Sequence, residues 1–269
     1  MAVVISYNPN IIQFCKNIRS IRSQVDELVI YDNHSDNIAE IEHFLSDVHI
    51  IRNNSNIGLP INYNNAIKMA KSKGFQWLLI MDQDTLIPDN LIEEYQKYIS
   101  WAKVAIICPQ CCDINLSTKE EFMKGIPNRE YSYVNRCISS TSLNNVDIAI
   151  EIGGFDEKMF IDYVDFDYCR NCKDHGYKIL RVNTCVIEHQ IGKSRIIRFL
   201  GKKLVCYNHP PIRKYYFFRN RVYYARKYHE NIFVTAKSLL GNFIPLFYEE
   251  NRYKKIKQAV KGFFDGFKL

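Results

Sequence analysis

The stretch Leu78-Leu79-Ile80-Met81-Asp82-Gln83-Asp84 decides how this chain is read. Four apolar residues in succession suit a strand buried on both faces, and the run stops at two carboxylates one residue apart. In an open α/β sheet the carboxyl ends of the strands form the ligand-binding edge, so Asp82 and Asp84 are delivered to that edge. On a continuing strand the two side chains would point to opposite faces, but past the strand end the backbone can turn both toward one divalent ion. The pair outlines a metal–diphosphate site. Taken alone, Asp-x-Asp describes a polar loop start equally well. The downstream residues favour chemistry: Pro88, Asp89 and Asn90 open the amphipathic helix Leu91-Ile92-Glu93-Glu94-Tyr95, which places the pair in a strand-to-helix crossover.

Reading outward, the same alternation fills the preceding residues. Strands are expected over Ala2 to Ser6, Leu28 to Tyr31, Val48 to Arg52 and Trp77 to Met81, with helices over Asn10 to Arg22, Ile38 to Leu45 and Pro60 to Lys73, the last ended by Gly74. Strand and helix alternating from the start argue a parallel, doubly wound sheet with right-handed crossovers. Each strand end carries short hydrogen-bonding side chains: Ser6-Tyr7-Asn8, Asp32-Asn33 and Asn53-Asn54-Ser55-Asn56. One such cluster is an ordinary turn, whereas three in succession line a crevice suited to a nucleotide. Asp32 is placed to accept from a base N–H or a ribose hydroxyl.

Composition narrows the class. The chain has 269 residues, 47% hydrophobic and 13% aromatic, enough to bury one large core and a small appendage. No apolar run reaches the length of a membrane span, and Met1 to Asn10 lacks a charged n-region and cleavage site, so a cytoplasmic protein is expected. Nine cysteines, an odd number scattered through expected strands and helices, read as reduced core thiols. Cys108-Pro-Gln-Cys111 and Cys169-Arg-Asn-Cys172 imitate a split zinc site, but a spacing of three on a helix merely puts two residues on one face.

The net charge of +7 is unevenly spread. Residues 1–192 hold 18 Lys+Arg against 25 Asp+Glu, and residues 193–269 hold 18 against 4. Interleaved with the late cations are Tyr215 to Phe218, Tyr223, Tyr224, Phe243-Ile-Pro-Leu-Phe247 and Phe263-Phe264. Basic and aromatic residues on helices fit an anionic membrane surface. Nucleic acid is the rival partner, and a helix packed on the main domain with solvated lysines is the plain alternative.

Several of these stretches together resemble family 2 glycosyltransferases with the GT-A fold. The resemblance is carried by Val4-Ile5-Ser6-Tyr7-Asn8-Pro9, Tyr31-Asp32-Asn33-His34-Ser35, Asn56-Ile57-Gly58 with Asn64, and Met81-Asp82-Gln83-Asp84. It continues through Gly153-Gly154-Phe155-Asp156, Phe160 to Tyr168, Gly176-Tyr177-Lys178 and His189, covering about the first 230 residues. Phe160 to Tyr168, with Tyr216-Phe-Phe-Arg219-Asn220-Arg221, is similar to bacterial rhamnosyltransferases in particular. The implied fold is a mixed, mostly parallel sheet flanked by helices. A GT-A domain is expected over 1–230, divided into a nucleotide-sugar-binding half (1–110) and an acceptor and catalytic half (111–230). A basic, aromatic helical segment (231–269) completes the chain.

The resemblance also implies roles. Ser6, Asn8, Asp32, Asn56, Gly58, Asn64 and Asp82 would bind the nucleotide sugar, Asp82 through the ribose or the water shell of the metal. Asp84 and His189 would hold a divalent ion, Mn²⁺ or Mg²⁺, that stabilises the leaving diphosphate. Inverting transfer needs one base for the acceptor hydroxyl and no enzyme nucleophile. Asp165 matches the base position of the family, Asp167 stands where glutamate is commoner, and Asp162 lies one expected helical turn earlier. With Arg219, Asp162 and Asp167 are secondary candidates toward the acceptor, and for Asp162 helix capping is the expected role.

The expected reaction is metal-dependent, inverting transfer of L-rhamnose from dTDP-L-rhamnose to a lipid-linked or polysaccharide acceptor of the bacterial surface, at the inner face of the plasma membrane. A UDP-hexose donor leaves every motif intact. A nucleotidyltransferase needs a glycine-rich basic phosphate loop, and Ser6 to Asn10 contains neither glycine nor lysine. A noncatalytic binding module would not need the carboxylates.

Overall fold

Strands with every residue buried need a cover on both faces, and the first half of the chain supplies it by alternating elements. These are β1 (Ala2–Ser6), α1 (Ile11–Arg22), β2 (Leu28–Asp32), α2 (Ile38–Phe44), β3 (His49–Arg52), α3 (Leu59–Ser72) and β4 (Trp77–Asp82). Next come α4 (Leu91–Gln96), β5 (Val104–Asp113), α5 (Lys119–Met123), β6 (Tyr131–Val134), β7 (Ser142–Asn145), α6 (Val146–Glu151), α7 (Val164–Asp174) and β8 (Lys178–His189). The computed structural model describes residues 1–189 and 191–269. It divides into two compact units: Met1–Cys112 with Lys119–Glu157 and Asp165–His189, and Asp113–Thr118 with Lys158–Val164 and Gln190–Leu269.

The first unit is built on an eight-stranded sheet of order β3-β2-β1-β4-β7-β5-β8-β6. β3, β2, β1 and β4 run parallel, as the strand–helix alternation requires. Beyond β4 the sheet turns mixed: β7 is antiparallel to both β4 and β5, and β6 is antiparallel to β8. The doubly wound expectation therefore holds for the first four strands, and the whole is a mixed α/β sheet. Register brings the polar strand ends together, pairing Ser6 with Asp32 and Ile5 with Asp82.

Leu78, Leu79, Ile80 and Met81 are fully buried, each side chain contributing about 1.5–3 kcal/mol of transfer free energy. Met81 and Leu79 pack in one core with Val4, Ile30, Phe14 and Ile18, so α1 covers the strands that carry the site. Asn10 caps α1 by accepting from the Gln13 amide. Gly58, at φ +81°, turns the chain into α3, whose second residue is Pro60, where a missing N–H costs nothing.

The second unit contains the hairpin β9 (Arg195–Phe199) and β10 (Lys202–Cys206), helices α8 (Pro211–Lys227), α9 (Ile232–Phe243) and α10 (Arg252–Asp265), and a 3-10 turn at Ile244–Tyr248. Helices α8 and α10 touch along backbone. A Cβ on Gly262 would overlap the Tyr215 carbonyl, and one on Gly266 would sit 2.5 Å from the Arg219 carbonyl oxygen. The steps 215 to 219 and 262 to 266 match, so the helices run in the same direction. Buried beneath them, the Glu249 carboxylate takes Lys214 at 2.8 Å and Lys255 at 2.9 Å.

Candidate functional site

The carboxyl edge of β1, β2 and β4 concentrates the polar residues of the first unit. Ser6 is buried, and its Oγ donates to Asp32 Oδ1 at 2.9 Å. The other Asp32 oxygen accepts from the Ser35 amide at 2.9 Å, which fixes the carboxylate at the end of β2. Asn8, at φ +48°, exchanges hydrogen bonds with Asp36 and donates its amide N–H to Ser35 Oγ. Asn56 Oδ1 accepts from Asn33 at 2.8 Å and from the Gly58 amide at 3.1 Å, shaping the turn before α3. Asn64 is buried, and its carboxamide is engaged by the backbone of Phe155 on both sides and by Glu157. It holds the loop Gly153-Gly154-Phe155, where a Cβ on Gly154 would collide with it.

At the end of β4 the chain turns as the sequence suggested. Asp82, Asp84 and His189 each present a ligand atom, and these atoms lie within 4.8 Å of one another. Asp84 is exposed and the other two are half-buried. Backbone contacts hold the cluster: Asn17 Nδ2 donates to the Asp82 carbonyl at 2.7 Å, and Leu86 bridges Glu188, the neighbour of His189. His189 Nδ1 is 3.0 Å from Thr85 Oγ1, which also accepts from Ser140 Oγ at 3.0 Å. Two carboxylates and an imidazole form an oxygen-rich set suited to Mg²⁺ or Mn²⁺.

Tyr63 links this cluster to α7. Its hydroxyl lies 3.3 Å from Ser139 Oγ, and burial raises its pKa far above that of a free phenol, reinforced by the nearby carboxylates Asp82 and Asp165. Asp165 stands in the first turn of α7, half-buried, with Oδ1 accepting from the Phe166 amide at 2.9 Å; Asp167 is buried. Phe166 also lines a cavity of about 580 Å³ with Cys108, Gln110, Phe122, Arg136 and Arg181, a size suited to a small ligand. Tyr63, Thr85, Ser139 and Ser140 had no signal in the sequence, because single hydroxyl residues in loops are ordinary.

Asp162 and Arg219 belong to the second unit. Asp162 and Tyr163 both take left-handed φ values, +65° and +66°, ahead of α7. The expectation that Asp162 caps the helix, or shares a helical face with Asp165, is corrected: Asp162 precedes the helix and its carboxylate forks onto Arg213, with Nε at 3.3 Å. A guanidinium offers a carboxylate two parallel donors, which outcompetes a single backbone N–H. Asn220, fully buried, donates to the carbonyls of Ile161 and Asp162, both at 2.8 Å, and so holds this strained pair. Arg219 donates to the Lys158 carbonyl at 2.7 Å and lies over the Tyr216 ring.

Comparison with known proteins decides the family, because the profile of "Glycosyl transferase family 2" matches residues 2–161. The chain belongs to glycosyl transferase family 2. That stretch spans the sheet edge with Asp32, Asp82 and Asp84. Among curated proteins, this glycosyltransferase is 24% identical over 285 residues to the dTDP-rhamnosyl transferase RfbF of Shigella flexneri, covering 98% of this chain and 94% of the relative. Its fold is that of the GT-A glycosyltransferases. It superposes on the crystal structure of GalNAc-T7 with UDP, GalNAc and Mn²⁺ at a TM-score of 0.60 and 15% identity, covering 84% of this chain and 47% of that one. The S. aureus TarS structure gives 0.52 at 15% identity, over 71% of this chain and 36% of TarS. The chain therefore spans less than half the length of these two structural relatives.

Proposed function

We propose that this glycosyltransferase moves L-rhamnose from dTDP-L-rhamnose, with inversion, to a glycan or lipid-linked acceptor of a bacterial surface polysaccharide, working in the cytoplasm at the membrane. The observation that carries the donor assignment is the likeness to the Shigella dTDP-rhamnosyl transferase through almost the whole of both chains.

In this reading Asp84 and His189 hold a divalent cation, with Asp82 on its water shell or on the ribose. A bound cation neutralises the charge that develops on the leaving diphosphate. The Thr85 contact supports His189 as a ligand: with Nδ1–H donating to Thr85 Oγ1, the Nε2 lone pair is left for the cation. Ser6, Asn8, Asp32, Asn56, Gly58 and Asn64 form the nucleotide side, Asp32 pre-set by Ser6 and Ser35 and Asn64 by the loop it holds.

Asp165 accepts the proton of the acceptor hydroxyl as that oxygen bonds to the anomeric carbon and the bond to the diphosphate oxygen breaks. A positioned base contributes about 10²–10⁴-fold to such a step. The cavity lined by Phe166, the next residue, takes the acceptor glycan, with Phe122 and Phe166 as apolar walls and Arg136 and Arg181 as donors.

The test is nucleotide release. Purified protein with Mn²⁺ and a bacterial glycolipid extract is given dTDP-L-rhamnose, UDP-glucose or UDP-galactose, and the free nucleotide is measured by chromatography. Release of dTDP alone supports the proposal; release of UDP alone overturns the donor assignment.

A further inference from the structure

Helix α9 turns an apolar face outward. Its Ser238 and Thr235 are spent on the protein, Ser238 Oγ accepting from Arg221 Nε at 3.0 Å and Thr235 Oγ1 donating to Glu230 at 2.8 Å, while Leu239 and Phe243 pack against Phe218, Leu246 and Ala259. None of its residues is buried, and Ile232, Phe233 and Leu240 are 75%, 80% and 59% exposed. A surface helix of a soluble protein turns the opposite face outward.

Beside α9 lies an apolar groove of about 290 Å³, walled by Phe218, Leu239, Phe243, Val260 and Phe264 from α8, α9 and α10. Scattered apolar side chains on a surface are ordinary, but a whole helix face joined to an apolar groove marks an interaction surface. Charge says what covers it. Lys237 on α9 and Arg252, Lys254 and Lys257 on α10 are exposed, while of the four acids in residues 193–269 Glu250 is exposed and Glu230, Glu249 and Asp265 are taken up by Arg221, by Lys214 and Lys255, and by Lys261 and Lys268.

We propose that α9 and the groove are a docking face for an anionic lipid bilayer. The helix lies in the plane of the interface with Ile232, Phe233 and Leu240 among the acyl chains, and the lysines of α10 meet lipid phosphates. A second copy of this chain would bring the same positive charge to its own face, and a nucleic acid would leave the apolar side chains in water. This docking face rests on the membrane setting of the proposed function and does not depend on which sugar is donated.

Co-sedimentation of the full chain with phosphatidylglycerol vesicles and with phosphatidylcholine vesicles tests it. Binding to the anionic vesicles is expected, weakened by added salt, with the pair Ile232→Asp and Phe233→Asp lowering the bound-to-free ratio about tenfold or more. Lys254→Gln with Lys257→Gln is expected to weaken binding to the anionic vesicles alone. All four side chains are exposed, so an unchanged melting temperature shows that each variant is folded. No sedimentation with phosphatidylglycerol, or sedimentation indifferent to the aspartate pair, overturns the proposal. So does a dimer in light scattering that the aspartate pair dissolves, which would give the face to a second copy.

Discussion

His189 Nδ1 sits 3.0 Å from the hydroxyl of Thr85, and Thr85 is fully buried one residue after Asp84. The residue following Asp84 thus touches the imidazole that reaches the Asp82–Asp84 cluster from the end of β8, and in the proposed cation site it would orient that ring. Such outer-shell partners typically account for 10–100-fold in metal affinity. Thr85→Ala is expected to weaken Mn²⁺ binding by about that factor, with Thr85→Ser restoring most of it. Titration calorimetry with Mn²⁺ measures both; equal affinity in Thr85→Ala would show that the hydroxyl does not orient the ring.

Asp165→Asn is expected to leave nucleotide binding as it is and to lower the transfer rate by about 10²–10⁴-fold. The substitution keeps size and the Phe166 amide contact while removing a proton acceptor. Native-rate turnover would remove Asp165 from the base role.

The second unit is sensitive to the meeting of α8 and α10. Gly262→Ala puts a methyl group into the Tyr215 carbonyl and is expected to cost about 1–3 kcal/mol, read as a lowered midpoint in urea. Gly241 has open space around its Cβ position and serves as the control: Gly241→Ala is expected to be neutral or stabilising.

Acid stability has a definite sign. Burial, followed by the charge of Arg213, lowers the His209 pKa from 6.5 to about 4. The unfolded chain therefore binds a proton between those values that the folded chain refuses, and stability falls as pH drops from about 6.5 toward 4, by at most about 3 kcal/mol. Urea midpoints measured across that range check it, and His209→Asn is expected to flatten the slope. Glu249 acts from the acid end of that window downward. Burial raises its pKa, but hydrogen bonds from Lys214 and Lys255 outweigh burial and the net shift is downward, so its contribution is present above the unfolded value and lost at lower pH.

Much of the nucleotide half was legible in the sequence because local rules and the fold agree there. Apolar runs gave β1, β2 and β4, Asn10 and Gly74 marked helix ends, and Asp82 and Asp84 stood where a parallel sheet binds ligands. Past β4 the pairing of β7 between β4 and β5 was not legible, since Ser142–Asn145 is short and polar and its order in the sheet is a long-range choice. Asp162 was misread for a related reason. Its partner Arg213 lies 51 residues away, and the left-handed backbone that continues from Asp162 into Tyr163 runs against the preference of a bulky aromatic residue. The hydroxyls of Tyr63, Thr85 and Ser140 gain meaning only when the fold brings them beside the carboxylates.

Everything proposed for this enzyme turns on a cation-dependent nucleotide site at Asp82, Asp84 and His189. Thermal unfolding with dTDP, UDP, GDP or ADP, each with and without Mn²⁺, tests it on the wild type and on Asp84→Ala. A ligand that binds only the folded state adds about 2.7 kcal/mol at a hundred times its dissociation constant. Mn²⁺-dependent stabilisation, largest for dTDP and abolished in Asp84→Ala, is expected. Stabilisation by dTDP that is equal without Mn²⁺, or that survives in Asp84→Ala, would contradict it.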